Sequence, residues 1–379
     1  MLLADENMAC LEPLFAGLAP IHTRPGRAIS PDQIDAALLS QVHTLLVRSV
    51  TPVNAALIDA MPALRFVGTA TIGTDHLDIA ALEARGIAWS SAPGCNAEAV
   101  GEYLLMALLE LAERTGVSLA SRTIGLIGLG NTGSAVYRRL MALGLKVLRC
   151  DPPKAAAGAP GEWHSLDALI AQCDVISCHV PNQPDTFHLL NDARLRQLKP
   201  GCWLVNASRG EVVDNRALIA VKGERPDLRL VMDVWEGEPT PMPELVALCD
   251  IATAHIAGYS VEGKIRGTQM LHQALADSGA ALPGMTATPA LADLLAEPGL
   301  GRETLAGPLD EARLRALCCR VYDLTQEDRL FRQAIEQPQG FDARRKANLA
   351  RREFSALTVR CKDSGEAAML ASLGFDTEE

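Results

Sequence analysis

Aromatic residues make up only 4% of the 379 positions, and the 35 Lys and Arg are outnumbered by 46 Asp and Glu. The resulting formal charge of −11 disfavours general attraction to nucleic acid or to an anionic membrane, both of which call for a cationic face. A small-molecule partner is expected instead. Long apolar runs are also missing: the best candidate, Ala99 to Ala112, is interrupted by Glu102 and Glu110, so no membrane-spanning helix is predicted. The opening Met-Leu-Leu-Ala-Asp5-Glu6-Asn7 lacks the basic residues and apolar stretch of a signal peptide, which predicts a first strand and a cytoplasmic location. The ten cysteines contain no C-x-x-C pair, which excludes a compact disulfide or zinc framework and leaves them as reduced, buried, small apolar side chains. Asp75-His76-Leu-Asp78 offers possible ligand atoms without an open three-ligand constellation, so no metal is expected.

What is present is ordinary globular composition, 48% hydrophobic and 21% charged, in a chain long enough for two or three domains. Short apolar runs alternate with helix-length segments: Thr44 to Val47, Leu64 to Val67, Ile87 to Trp89, Ile124 to Ile127, Lys146 to Leu148, Val175 to Ser177, Trp203 to Val205, Leu230 to Met232 and Ile251 to Thr253. That alternation predicts βαβ units, parallel sheets and the α/β class.

Gly128-Leu-Gly130-Asn131-Thr132-Gly133 follows the strand-like Thr123 to Ile127 and opens a helix-like Ser134 to Leu143, the setting in which a glycine fingerprint binds a dinucleotide. Glycines let backbone amides approach a pyrophosphate, and the helix start turns its positive end toward that charge. Asp151, at the end of the next strand, stands where an acid would bond a ribose 2′-hydroxyl and repel a 2′-phosphate, so NAD is favoured over NADP, with Arg149 and Lys154 as the opposing features. His179, in the loop after Val175 to Ser177, is expected to be structural.

Because the fingerprint lies mid-chain, we expect a Rossmann-type doubly wound parallel sheet over 96–257, inserted in a second, smaller α/β substrate domain made of 1–95 with 258–280. A helix over Ser260 to Asp277 would return to the first unit. Prolines and glycines between 281 and 308 predict a linker with a short helix. Beyond it, Leu309 to Gln337 and Asp342 to Arg352 predict helices, Phe354 to Cys361 a strand and Gly365 to Leu373 a helix, an α+β domain assigned to self-association within 281–379. The Arg344-Arg345-Lys346 and Arg351-Arg352 groups are expected on a solvated helix face.

Three segments carry chemistry: Ser208-Arg209-Gly210, Asp233-Val-Trp-Glu-Gly-Glu238-Pro239 and His255-Ile-Ala-Gly258-Tyr259. Each follows a predicted strand, at the sheet edge where such folds bind ligands. Arg209 can pair its guanidinium fork with a carboxylate, Glu238 can orient an imidazole, and His255 can take a hydroxyl proton as hydride leaves the adjacent carbon. Asp233 is expected to meet the nicotinamide amide or ribose.

With the Arg-Glu-His set and the central glycine fingerprint, the chain resembles the D-2-hydroxyacid dehydrogenase family. Further segments narrow the resemblance: Asp5-Glu-Asn-Met8, Val47-Arg-Ser-Val-Thr51, Val67-Gly-Thr-Ala-Thr71, Gly73-Thr-Asp-His76, Ala92-Pro-Gly-Cys-Asn96, Cys150-Asp-Pro-Pro153 and, in the tail, Arg351-Arg-Glu-Phe-Ser355. The resemblance implies a homodimer that oxidises 4-phospho-D-erythronate to its 2-oxo acid. It implies Arg209, Glu238 and His255 as catalytic, Asp151, Val180, Asp233 and Gly258 with the glycine loop as cofactor contacts, and Ser49, Thr71 and Tyr259 as substrate contacts. A phosphorylated acid needs further positive charge, for which Arg48, Lys264 and Arg266 are the candidates. Residue types alone leave open another acid, such as 3-phosphoglycerate or glyoxylate, and a non-catalytic NAD-sensing scaffold.

Overall fold

The computed structural model describes residues 1–296 and 299–378. Positions 297 and 298 of the linker expected over 281–308 lie outside the described residues. The chain divides into two compact units, Met1–Asn96 with Val261–Glu297, and Ala97–Ser260 with Pro298–Glu379.

In the first unit, β1 (Leu2–Asp5), β2 (Ile21–Arg24), β3 (Thr44–Val47), β4 (Phe66–Thr69) and β5 (Ala88–Ser90) form one parallel sheet in the order β2-β1-β3-β4-β5. Successive side chains of a strand face opposite ways, and here both faces are covered. Leu3, Leu45, Val47 and Val67 enter one core with Leu57, Ile58 and Leu82. Leu2, Ala4, Leu46 and Phe66 enter the other, closed by Ile265, Leu271 and Leu275 of the helix Val261–Asp277. That double burial is why β1, β3 and β4 are mostly apolar, with polar residues only at their ends, Asp5, Thr44 and Thr69. The β2 strand, Ile-His-Thr-Arg, gave no comparable signal because it lies at the sheet edge with its last two residues exposed.

The second unit contains β6 (Thr123–Ile127), β7 (Lys146–Cys150), β8 (Val175–Cys178), β9 (Trp203–Asn206), β10 (Arg229–Met232) and β11 (Ile251–Ala252), all parallel, in the order β11-β10-β9-β8-β6-β7. From β6 the chain moves outward to β7 and then crosses to β8 on the other side. The β6/β8 boundary is therefore a topological switch point, where the loops after neighbouring strands part and leave room for a ligand. The long helix Ala97–Thr115 is buried along most of its length and packs on the helix Asn131–Ala142.

The tail adds β12 (Gly301–Thr304), β13 (Leu357–Arg360) and β14 (Asp376–Glu378), a parallel sheet ordered β12-β13-β14. The single helix expected over 309–337 is two, Glu311–Val321 and Leu324–Ala334, because Tyr322 is extended and Asp323 caps the second by accepting from the Gln326 N–H. The expected strand 354–361 shortens to β13 behind a turn of 3₁₀ helix, and the polar β12 becomes a strand only by pairing with it. Phe331, Phe341 and Phe354 belong to the same core as the six-stranded sheet. The tail also covers that sheet's edge: the Asp328 carboxylate accepts the Ala252 N–H at 2.7 Å, and Arg332 donates to the Val246 and Cys249 carbonyls. An uncovered edge strand would leave those groups to water or to another chain.

All ten cysteines are free, and all except Cys10 and Cys319 are buried. Among the described residues no helix is long and apolar enough to cross a membrane.

Candidate active site

The glycine loop owes its shape to what a side chain would strike. Gly128 has φ +89°, and a Cβ there would lie 2.6 Å from the His179 carbonyl oxygen and 2.7 Å from Val180 Cγ1. A Cβ on Gly133 would collide with the Gly128 carbonyl oxygen, so the helix start can close on the loop only with glycine. Gly130 differs: nothing lies within 4 Å of its missing Cβ. Open space there, beside the first amides of a 12-residue helix, suits close approach by a pyrophosphate. Asn131 is exposed and Thr132 half-buried at the same helix start, available to a bound dinucleotide.

Asp151 braces this loop, its carboxylate accepting from the Leu129 N–H at 2.7 Å and the Lys154 N–H at 3.1 Å. The two cations that argued against NAD each have partners of their own. Arg149 lies over the rings of Tyr137 and Trp163, 5.1 and 4.6 Å from their centroids, and the Lys154 ammonium donates to the Leu129 carbonyl. His179 is 7% exposed and shares a 2.9 Å hydrogen bond with the Ser177 hydroxyl, and burial pulls its pKa down to about 4. Burial disfavours its charged form, and its Cβ packs behind Gly133, as suits the structural role expected for it.

Arg209, Glu238 and His255 follow β9, β10 and β11, three neighbours in the sheet. Asn206, at the end of β9, shapes the arginine turn by donating to the Arg209 carbonyl at 2.8 Å and accepting from the Ser208 amide and hydroxyl. A Cβ on Gly210 would collide with the Trp235 backbone, so glycine allows the turn after β9 to touch the loop after β10. The loop after β10 then folds back, with the Trp235 N–H donating to Glu238 Oε1 at 3.0 Å.

Glu238 Oε2 lies 2.7 Å from His255 Nδ1. Burial opposes ionisation of Glu238, but its bond to His255, the His255 charge, the Trp235 N–H and the positive charge of Arg345 together hold its carboxyl below the usual range. An ionised Glu238 can only accept, so it places the proton of a neutral His255 on Nδ1 and leaves the lone pair on Nε2. His255 itself has φ +56°, a conformation that costs a non-glycine residue roughly 1–2 kcal/mol.

Asp233, the expected nicotinamide or ribose contact, also has a structural job. It is fully buried, and its carboxylate accepts from the Thr253 hydroxyl at 2.6 Å, the Ile256 N–H at 2.8 Å and the Ala257 N–H at 2.9 Å. Its backbone carbonyl takes the His255 N–H at 2.7 Å. Asp233 therefore clamps the loop that presents His255, Gly258 and Tyr259. The expected solvated face of the tail holds for the exposed Lys346 but is overturned for its arginines. Arg351 and Arg352 are 5% and 8% exposed, and Arg344 pairs with the buried Glu327, because this segment lies against the 255–260 loop. No local pattern signals this, since each partner is remote in sequence.

In the first unit, Arg48 is half-buried and Ser49 exposed, directly after β3. The Thr71 hydroxyl donates to the Gly73 carbonyl at 2.9 Å and lies 2.7 Å from the Thr69 hydroxyl. Lys264 stands near Arg48; burial first and the Arg48 charge second pull its pKa down to about 8, with Glu262 acting the other way. Arg266 donates to the Cys95 carbonyl. Among the described residues, one cation-sized cluster occurs outside these groups, formed by His188, Asp214 and Glu236. His188 Nε2 bonds Glu236, and Nδ1 lies 3.5 Å from Asp214, so the three groups satisfy one another.

Switch-point sheet, glycine loop and carboxylate–histidine pair together define a dehydrogenase that uses NAD. Residues 105–257 match the family described as D-isomer specific 2-hydroxyacid dehydrogenase, NAD binding domain, and residues 294–374 match a domain of unknown function, DUF3410. The fold is shared with D-lactate dehydrogenase from Aquifex aeolicus, whose structure holds NAD and lactic acid, at 24% identity and a TM-score of 0.57 over 72% of this chain and 93% of that one. Erythronate-4-phosphate dehydrogenase from Shewanella sp. (strain MR-4) is 50% identical over 99% of this chain and 98% of its own length. The Shewanella oneidensis protein of the same name is 49% identical over the same shares. The chain belongs to the erythronate-4-phosphate dehydrogenase family, within the D-2-hydroxyacid dehydrogenases.

Proposed function

We propose that this enzyme oxidises 4-phospho-D-erythronate to (R)-3-hydroxy-2-oxo-4-phosphooxybutanoate, a step of vitamin B6 biosynthesis. The observation that carries the chemistry is the 2.7 Å bond between Glu238 and His255 Nδ1, which directs Nε2 to the reacting hydroxyl. Bound NAD supplies the acceptor for the hydride from C2. His255 Nε2 takes the hydroxyl proton, and Glu238 stabilises the imidazolium that results. Arg209 pairs with the substrate carboxylate and fixes the C2 hydrogen's orientation. Gly128, Gly130, Asn131, Thr132, Gly133, Asp151, Val180, Asp233 and Gly258 would hold the dinucleotide, and Asp233 holds the histidine loop as well.

On the same reading Ser49, Thr71 and Tyr259 contact the substrate, and Arg48 with Lys264 takes the phosphate. The lowered Lys264 pKa supports this, since a phosphate dianion would restore the charge that burial and Arg48 disfavour. The extension 281–379 serves self-association, and the full chain is expected to sediment as a homodimer; a monomer at assay concentration would refute that part.

The direct test is anaerobic addition of 4-phospho-D-erythronate to NAD-loaded protein while following reduced-nicotinamide absorbance. Stoichiometric reduction is expected. A preference for 3-phosphoglycerate or glyoxylate-related acids would overturn the substrate, and NADH binding without hydride transfer to or from any 2-hydroxy or 2-oxo acid would favour a scaffold.

A further inference from the structure

The segment matching the domain of unknown function reaches the catalytic loop directly. Arg351 is 5% exposed and donates from Nη1 to the Ile256 carbonyl at 3.1 Å and the Ala257 carbonyl at 3.0 Å, and from Nη2 to the Ala99 carbonyl at 2.9 Å. Its guanidinium also lies 4.8 Å from the centroid of Tyr322. The N–H groups of the same Ile256 and Ala257 belong to Asp233. Both sides of this two-residue backbone are thus held by charged groups, an acid from the end of β10 and an arginine from the tail. Next to it, the Ser260 hydroxyl donates to Glu353 at 2.7 Å.

Arg345 meets the other end of the loop. Its guanidinium lies 5.3 Å from the centroid of Tyr259, within the range in which a cation is attracted to an aromatic face. Its Nε is buried without a hydrogen-bond partner among the described residues. The helix that delivers it, Gly340–Ala347, is held at its start, where a Cβ on Gly340 would collide with the Ala334 carbonyl, and at its middle, where Arg344 pairs with Glu327. Simple packing against Tyr259 would need only an aliphatic side chain. A guanidinium with a buried, unmatched donor is costly there unless its charge or its remaining N–H groups are used.

We propose that the C-terminal extension is a positioning element for catalysis: Arg351 fixes the backbone of the loop that carries His255, and Arg345 fixes the Tyr259 ring and supplies positive potential at the Glu238–His255 pair. This rests on the acid–base role of His255 given above. The charged groups acting on Glu238 are His255, from the loop after β11, and Arg345, from the tail helix. Removing a nearby cation raises the pKa of an acid, so the pH at which Glu238 ionises and can serve the histidine moves upward.

The test uses full-length, NAD-loaded protein carrying Arg345→Met, Arg345→Lys, Arg351→Lys or His255→Ala, assayed for 4-phospho-D-erythronate oxidation across pH alongside thermal melting. Arg345→Met is expected to shift the acidic limb of kcat/KM upward by roughly half a pH unit, less than the ~1–3 units of a charge in direct contact, and to raise KM. Arg345→Lys should restore the limb. Arg351→Lys keeps the charge but loses the fork that spans three carbonyls, and kcat is expected to fall about tenfold with a smaller change in KM, because misplacing a reacting group costs rate. Arg345 is only half-buried, so its variants are expected to fold and to carry the test should Arg351→Lys not. An unshifted limb removes Arg345 from the inference, an unreduced kcat removes Arg351, and both together overturn it. Turnover retained in His255→Ala would instead overturn the acid–base reading beneath it.

Discussion

The glycine loop, after β6, and the histidine loop, after the edge strand β11, belong to one sheet, yet they are built in opposite ways. The glycine loop gets its shape from its own missing side chains and from contacts to Asp151 and to the His179–Val180 backbone after β8. The histidine loop holds a non-glycine residue at φ +56° and depends on Asp233, Glu238 and a tail arginine almost a hundred residues away, at position 351. A cofactor cradle can thus be written into six consecutive residues. A proton-transfer group needs its position imposed from several directions, because rate depends on placing one nitrogen rather than on shaping a surface.

The largest separation of the two loops should come from His255→Ala. Turnover of 4-phospho-D-erythronate is expected to fall by about 10²–10⁴-fold while NADH affinity, by fluorescence titration, stays near that of the parent. Near-normal turnover would remove His255 as the base. The converse break is Gly133→Ala, whose new methyl has nowhere to go. NADH affinity should fall about 100-fold and stability by roughly 1–3 kcal/mol, measured by titration and denaturant melts. Gly130→Ala sharpens the same point. Its methyl meets open space, so melting should not change, whereas NADH affinity should fall about tenfold if a pyrophosphate approaches there. Unaltered affinity would move the cofactor away from this glycine.

The smallest effect concerns Lys264 in the first unit. Its pKa is lowered to about 8, so the free protein loses the ammonium as pH rises through that value. Phosphate favours the charged form, hence substrate affinity should weaken above about pH 8 and binding should take up a proton there. In Lys264→Met this part of the pH dependence should vanish. A profile identical to the parent's would exclude Lys264 from the phosphate site.

Legibility followed the range of the interactions. Strands buried on both faces, such as Leu2–Asp5 and Thr44–Val47, are apolar apart from one terminal residue and were expected; the polar edge strand Ile21–Arg24 and the paired β12 were not, because partners rather than residue types make them strands. In the tail, the helix break at Asp323 had a local cause that was open to reading, since aspartate is a strong N-cap. The burial of Arg351 and Arg352 and the pairing of Arg344 with Glu327 had none, because charged side chains in sequence look the same whether they face water or carbonyls.

Residue order alone determined the α/β class, the glycine cradle, the acid after β7 and the presence of an arginine, a carboxylate and a histidine after successive strands. These are short-range matters: periodicity, the steric demands of a turn, and the chemistry of single side chains. Only the folded chain decided that Glu238 and His255 are bonded, that Asp233 is a clamp and that arginines of the tail stand behind the catalytic loop. Each of those facts joins residues far apart in sequence, and hydrogen bonds and buried charges are satisfied by whatever the tertiary fold brings alongside, which no local pattern records.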